Sequence, residues 1–352
     1  MRPIHFDRIK RILVSRIDRI GDVVLSTPVF QAIKERYPGS FLAVLVAKET
    51  EAIVRGNPYV DRVIVYDKKG EHRSWWRTAR FGFTLKRERF DVAVNLHPTN
   101  RVNFISYFAQ IPIRIGYRRK SYAFLTHSIE DKKWQGKRHE ADYNFDLLAL
   151  IDVPKPGEFK LCFPLRTSDL ESLRNLVPQL TGTSYVVFHP SASSSSKIWA
   201  PERLAQVADC LARKYGVLSV IIGEGAGVAH AVLMEKSMTG KALNLAGRLT
   251  LGMLAWLLRE ARLLISNDSG PVHIASAVAT PVISIFGRNQ AGLSPIRWRP
   301  LSRASSFLQK DVGCVICLAD RCQIDFKCLK ELKTDEVLEE VTKYETYLVS
   351  QL

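Results

Sequence analysis

Residues 263–287, LLISNDSGPVHIASAVATPVISIFG, constrain the fold of this chain more than any other stretch. Leu263, Leu264 and Ile265 form a short apolar run of the kind that suits a strand buried on both faces. Asn267-Asp268-Ser269-Gly270-Pro271 interrupts it with turn and cap residues. A small-residue helix over 272–279 and a second buried strand over 281–286 follow. The loop therefore sits at the carboxyl end of a parallel strand and the amino end of a helix. Ligands of open α/β sheets bind there, because first-turn N–H groups and the helix dipole favour an anion. Ser269 adds a hydroxyl, Gly270 admits close backbone approach, and His273 lies one turn in. Asp268 or Ser269 would serve equally well as an ordinary helix cap.

The same alternation fills the chain. Strands are expected over 11–15, 41–46, 63–66, 92–96 and 114–116, with helices over 22–37, 49–55, 75–86, 101–109 and 142–151. Pro154, Pro156 and Gly157 mark a linker over 156–180. The pattern then resumes with strands over 185–188 and 218–222 and helices over 202–215 and 251–259. Two α/β parallel-sheet domains follow, 1–155 and 181–333, with a last amphipathic helix over 334–352 capped by Thr334. A length of 352 residues accommodates two cores, and 46% hydrophobic content excludes a disordered chain. No apolar run suffices for a membrane span, and the charged amino terminus lacks a secretory signal core.

Charge narrows the partners. Residues 1–155 carry 29 Lys and Arg against 17 Asp and Glu; residues 156–352 carry 22 against 18. The basic first half implies an anionic partner: nucleic acid, a phospholipid surface or a phosphorylated substrate. Residues 68–90 mix basic side chains with Trp75, Trp76, Phe81 and Phe83, which suits an interfacial helix, a nucleic-acid face or an ordinary solvated helix. Arg114, Arg118, Arg119 and Lys120 cluster among aromatics farther on.

Other loops lie at expected strand ends. Arg16-Ile17-Asp18-Arg19-Ile20-Gly21-Asp22 holds one glycine and is no dinucleotide fingerprint; Asp22 reads as an N-cap or as a general base at a cleft. His189 to Lys197 is serine-rich and ends in a point charge, and Gly223-Glu224-Gly225-Ala226-Gly227 follows the next strand. Cys314, Cys317, Cys322 and Cys328 leave structural zinc, disulfides or free thiols open, while Cys162 and Cys210 read as core residues.

Taken together, RILVSRIDRIGDVVLSTPVFQAI, RIGYRRKSYAFLTHSI, RHEADYNFDLL, HPSASSSSKIWAPERLAQVA, NDSGPVHIASAVATPVISIFG and the tail CLKELKTDEVLEEV resemble glycosyltransferase family 9, the ADP-heptose:lipopolysaccharide heptosyltransferases. The resemblance implies the GT-B architecture, two Rossmann-like domains facing an interdomain cleft. It implies inverting transfer of heptose from ADP-heptose to a phosphorylated glycolipid, the lipopolysaccharide core, by a cytoplasmic protein peripheral to the inner membrane. No catalytic cofactor and no nucleic-acid partner are expected. By the same resemblance Asp22 matches the general base, Lys197 and Ser191 the diphosphate-contacting residues, and Asp268, Ser269, Gly270 and His273 the donor motif. Glu224 lies near the ribose-binding position without matching its usual surroundings. Arg114, Arg118, Arg119 and Lys120 become acceptor contacts. Rival readings are transfer from another sugar nucleotide, a nucleotide-sugar epimerase of the same fold, and a non-enzymatic protein that binds nucleic acid or membrane through its basic half.

Overall fold

The computed structural model describes residues 4–349 and divides the chain into two compact units, residues 1–164 and 165–352. In the first, strands β1 (Arg11–Arg16), β2 (Phe41–Ala47), β3 (Arg62–Tyr66), β4 (Val92–Asn95), β5 (Ile113–Tyr117) and β6 (His127–Ile129) form one sheet. Its order is β3-β2-β1-β4-β5-β6, with every neighbour parallel. Helices α1 (Ile20–Val24), α2 (Thr27–Arg36), α3 (Trp75–Leu85), α4 (Asn100–Phe108) and α5 (Glu140–Leu148) connect and cover it. The central strands β2 and β4 are apolar almost throughout and nearly wholly buried, as helices on both faces require.

The second unit repeats the plan with β7 (Tyr185–His189), β8 (Leu218–Ile221), β9 (Ala242–Asn244), β10 (Leu263–Asn267), β11 (Val282–Phe286) and β12 (Ser305–Gln309). The sheet order β12-β11-β10-β7-β8-β9 is again all parallel, so each unit has the Rossmann order with one reversal at its centre. Its helices are α6 (Thr167–Leu176), α7 (Pro201–Tyr215), α8 (Gly227–Ser237), α9 (Leu251–Glu260), α10 (Gly270–Ala277), α11 (Pro295–Trp298), α12 (Lys327–Glu331), α13 (Thr334–Thr342) and α14 (Glu345–Val349). Trp199, Leu204, Val207 and Leu211 pack with Val337, Val341 and Leu348, which ties the carboxyl-terminal helices into the core of this unit. No helix among the described residues is long and apolar enough to cross a membrane.

Several expectations change. The helix expected over 22–37 is two helices, because Pro28 in the first turn of α2 restarts the backbone and the Ser26 hydroxyl donates to the Asp22 carbonyl. The stretch 49–55 is a 3-10 turn, Lys48–Ile53. Residues 165–180, read as linker, carry α6 and belong to the second unit. The last helix is broken after Thr342, its cap is Lys333 rather than Thr334, and residues 350–352 lie outside the described region. Cys162 and Cys210 are half-buried rather than fully in the core.

Candidate functional site

Each reversal of strand order leaves a crevice at the carboxyl ends of two adjacent strands. In the first unit these are β1 and β4, followed by the loops that hold Asp18 and His97. Their side chains meet there, His97 Nδ1 lying 3.0 Å from Asp18 Oδ2. Asp22 sits in the first turn of α1, whose cap is Arg19 with no side-chain bond, so Asp22 is not an N-cap. Its Oδ1 instead accepts from Arg16 Nη2 at 2.5 Å.

Arg16 is the hub. The last residue of β1 and 1% exposed, it also reaches Asp18 Oδ1 at 2.8 Å, Glu140 Oε1 at 3.1 Å and Asn144 Oδ1 at 3.2 Å. Glu140, wholly buried at the start of α5, accepts a second cation, Lys133 Nζ at 2.8 Å. Burial alone would lower the Arg16 pKa, but its three carboxylates hold it above its ordinary value. Two cations face three acids, and the deficit falls on Asp22. Burial first, then Asp18 and Glu140, raise it to about 6 against the pull of Arg16. Asp18 stays below the usual carboxylate range because Arg16 and His97 outweigh its burial. A carboxylate poised near neutral pH and fixed by a buried guanidinium has the properties of a general base.

In the second unit the crevice lies between β7 and β10. The loop after β7 brings Lys197 Nζ to 2.5 Å from Asp268 Oδ2, on the loop after β10. Beneath them His189 is buried with both ring nitrogens engaged: Nε2 lies 3.0 Å from Ser191 Oγ and Nδ1 2.9 Å from Ser269 Oγ. Burial, with His230 adding to it, lowers its pKa to about 4, so the ring is a neutral post between two hydroxyls. Ser269 is the N-cap residue of α10, yet its hydroxyl turns to His189 and Ser266 rather than to the helix. The first turn offers fewer free N–H groups than expected: Pro271 has none and Val272 N donates to Ser269 O. Gly270 opens α10, and His273 is buried within it. A methyl group on Gly227 at the start of α8 would meet Ser191 Oγ, so this glycine keeps the two loops in contact. Glu224 follows β8 at the same sheet edge and is exposed.

The serine loop has an anchor that the sequence did not suggest. Asp320, from the cysteine-rich segment, accepts from Ser194, from Ser196 Oγ at 2.7 Å and from Arg288 Nη2 at 2.6 Å. Those two hydroxyls, with Arg288 behind them, lower its carboxyl to about 2.

The four cysteines line one cavity of about 480 Å³ and are free thiols. Among the described residues no group of three or more His, Cys, Asp or Glu is placed to hold a metal ion. Cys328 Sγ donates to Gly287 O at 3.1 Å, and burial raises its pKa. The zinc expectation finds no support. The basic cluster divides. Arg114 donates to the Phe124 and Ile111 carbonyls at 2.7 and 2.5 Å, holding its own loop, whereas Arg118, Arg119 and Lys120 are exposed after β5.

Arg16, Glu140 and His189 carry much of this geometry without having been singled out. A charged residue ending an apolar strand was the available signal for Arg16; Glu140 and His189 are ordinary in sequence and acquire their roles by burial.

Comparison with known proteins bears on the family and the fold. A family model, glycosyltransferase family 9 (heptosyltransferase), matches residues 78–327. Lipopolysaccharide heptosyltransferase 3 of Escherichia coli is 28% identical over 80% of this chain and 84% of that protein. A glycosyl transferase family 9 structure from Veillonella parvula superposes with a TM-score of 0.86, 23% identity and 99% coverage of each chain. The E. coli ADP-heptose lps heptosyltransferase II gives 0.78 with 21% identity, covering 95% of this chain and 98% of the other. These are two-domain GT-B folds, as here. With half the sequence and more matched by the family model, the chain is a glycosyltransferase and belongs to glycosyltransferase family 9, the heptosyltransferases.

Proposed function

We propose that the protein transfers heptose from ADP-heptose, with inversion, to the phosphorylated inner core of lipopolysaccharide at the cytoplasmic face of the inner membrane. The observation that carries the reading is the Arg16–Asp22 pair, a carboxylate held near neutral pKa at the reversal point of the first sheet. Asp22 takes the proton of the acceptor hydroxyl as its oxygen bonds to the anomeric carbon. The bond from that carbon to the diphosphate breaks on the opposite face, and ADP departs with the electron pair.

The developing charge on ADP needs cations and N–H dipoles. Lys197 has three N–H groups, so it can contact a diphosphate while still facing Asp268. Ser191 and Ser269, fixed by His189, provide hydroxyls beside it, and Gly270 and His273 lie in the adjacent helix. Glu224 at the neighbouring strand end is proposed to contact the ribose. Arg118, Arg119 and Lys120 are proposed to meet acceptor phosphates, consistent with the basic charge of the first half.

The test is a panel of ADP-, UDP- and GDP-sugars offered with and without a truncated lipopolysaccharide core. ADP release from ADP-heptose only with acceptor supports the reading. Conversion of a sugar nucleotide without acceptor would establish an epimerase instead, and turnover of UDP- or GDP-sugars alone would replace the donor.

A further inference from the structure

Helix α3 presents to solvent a face that water alone does not favour. Trp76 is 76% exposed and Phe83 50% exposed. With exposed Arg80 they fall at i, i+4 and i+7 on one outward face of α3, and exposed Arg87 follows in the 3-10 turn Lys86–Glu88. The opposite face, Thr78, Gly82 and Leu85, is buried. A methyl group on Gly82 would lie 2.8 Å from Phe108 Cβ, so the glycine lets α3 seat closely on α4.

The aromatic surface continues beyond α3. The Phe83 ring lies 5.0 Å from Phe108, and Trp75, half-exposed, lies 5.4 Å from Phe104. Residues 68–90 carry eight Lys and Arg against two Glu. An exposed apolar area of this kind, rimmed and interleaved by one sign of charge, marks an interaction surface.

We propose that this face docks on the surface of an anionic lipid bilayer. Arg80 sits between Trp76 and Phe83 on this face, and the eight Lys and Arg against two Glu over residues 68–90 point to a partner with dense, uniform negative charge. At a headgroup layer that alternation has a direct meaning: aromatic rings enter the acyl boundary while guanidinium groups stay level with the lipid phosphates. The inference rests on the proposed function only for its purpose, which is to bring the enzyme to a membrane-borne acceptor. Docking itself requires neither donor nor acceptor.

The experiment is co-sedimentation of the full-length protein with phosphatidylcholine vesicles and with vesicles enriched in phosphatidylglycerol. The wild type is expected to pellet with the anionic vesicles and to be released by salt. The double variants Trp76→Ser with Phe83→Ser, and Arg80→Glu with Arg87→Glu, are each expected to lower vesicle partitioning at least about tenfold. Both should melt at the wild-type temperature and turn over a soluble, delipidated core at the wild-type rate. Wild-type protein that ignores anionic vesicles, or variants that bind them undiminished, would overturn the proposal. So would size-exclusion chromatography in which Trp76→Ser with Phe83→Ser dissociates a dimer, since the face would then join two copies of the chain. Vesicle binding that depends on this face, in a protein inactive on the soluble core, would leave docking standing and reject the transferase reading.

Discussion

The two units share one sheet order, and each places a bridging pair across its central reversal: Asp18 with His97 in the first, Lys197 with Asp268 in the second. They differ in what lies beneath that pair. The first unit is filled with charge, Arg16 and Lys133 against Asp18, Asp22 and Glu140. The second rests on neutral groups, His189 between two serines, with one ion pair above. Under the proposed function the difference follows from the tasks. A base needs a carboxylate whose proton affinity is raised to match its work, and packing acids around one shared cation does that. A leaving diphosphate brings its own charge, so its site needs fixed dipoles and a cation already in place. One backbone plan thus serves opposite electrostatic ends through the residues at two strand ends.

The largest effect should come from the acidic side. Asp22→Asn keeps the shape and removes the proposed base, and acceptor-dependent ADP release is expected to fall about 10³-fold. In the wild type, kcat/KM should rise with pH through about 6 as Asp22 ionises, and this limb should vanish in the variant. Retention of the limb in Asp22→Asn would reassign the base, with His97 and Asp18 the next groups to replace.

On the other side, Lys197→Ala is expected to reduce turnover about 10²-fold through loss of charge at the diphosphate. It also leaves Asp268, 5% exposed, without its cation, so the double variant Lys197→Ala with Asp268→Asn separates the two effects. If the double variant recovers full activity, Lys197 serves only to neutralise Asp268, and the second unit has no cation committed to the donor.

Much of this contrast was legible in the sequence, and the illegible part is of one kind. Apolar runs alternating with helical stretches disclosed the parallel sheets, since strands buried on both faces need continuous apolar sequence. The loops that follow β1, β7 and β10 were found because sharp turns and caps use few residue types. The short edge strands β6, β9 and β12 were missed because Ser305-Ser306-Phe307-Leu308-Gln309, for instance, is only half-buried and carries a mixed pattern. Arg16, Glu140 and Asp320 were missed because a salt-bridge partner 124 residues away leaves no trace in local pattern. For Arg114 the complementary reason holds: composition counts a cation but does not show that the Phe124 and Ile111 carbonyls already take part of its donor set.

The contrast should also appear as opposite pH dependence of stability in the two units. Asp22 is raised from 3.8 to about 6 in the fold, so its contribution is fully present below pH 4 and is lost as pH rises through 6. His189 is lowered from 6.5 to about 4, so its contribution is present above 6.5 and is lost as pH falls towards 4. Each amounts to roughly 3 kcal/mol at most, at 1.36 kcal/mol per unit. Relative to wild type, Asp22→Asn should therefore gain stability on moving from pH 4.5 to 7, and His189→Asn should lose it over the same interval. Denaturant melts at the two pH values check both signs, and parallel responses of the two variants would erase the proposed difference between the sites.

The smallest expected effect is the most specific to the shared-cation account. Glu140 is wholly buried between Arg16 and Lys133 and has no route to substrate through its own carboxylate. Replacing it with Ala would leave buried cations uncompensated and endanger the fold, so Glu140→Gln, of the same shape, is the informative variant. It removes one of the negative charges that raise Asp22 and leaves Arg16 with two carboxylates instead of three. The Asp22 pKa must then fall, and the acid limb of kcat/KM must move below about 6. Activity at mildly acid pH should rise a few-fold relative to the plateau, even if the plateau itself drops because the weaker base accepts the proton less readily. A merely structural Glu140 would lower the plateau and leave the limb in place. Only the electrostatic role moves the limb, and only downward, because the charge removed is negative.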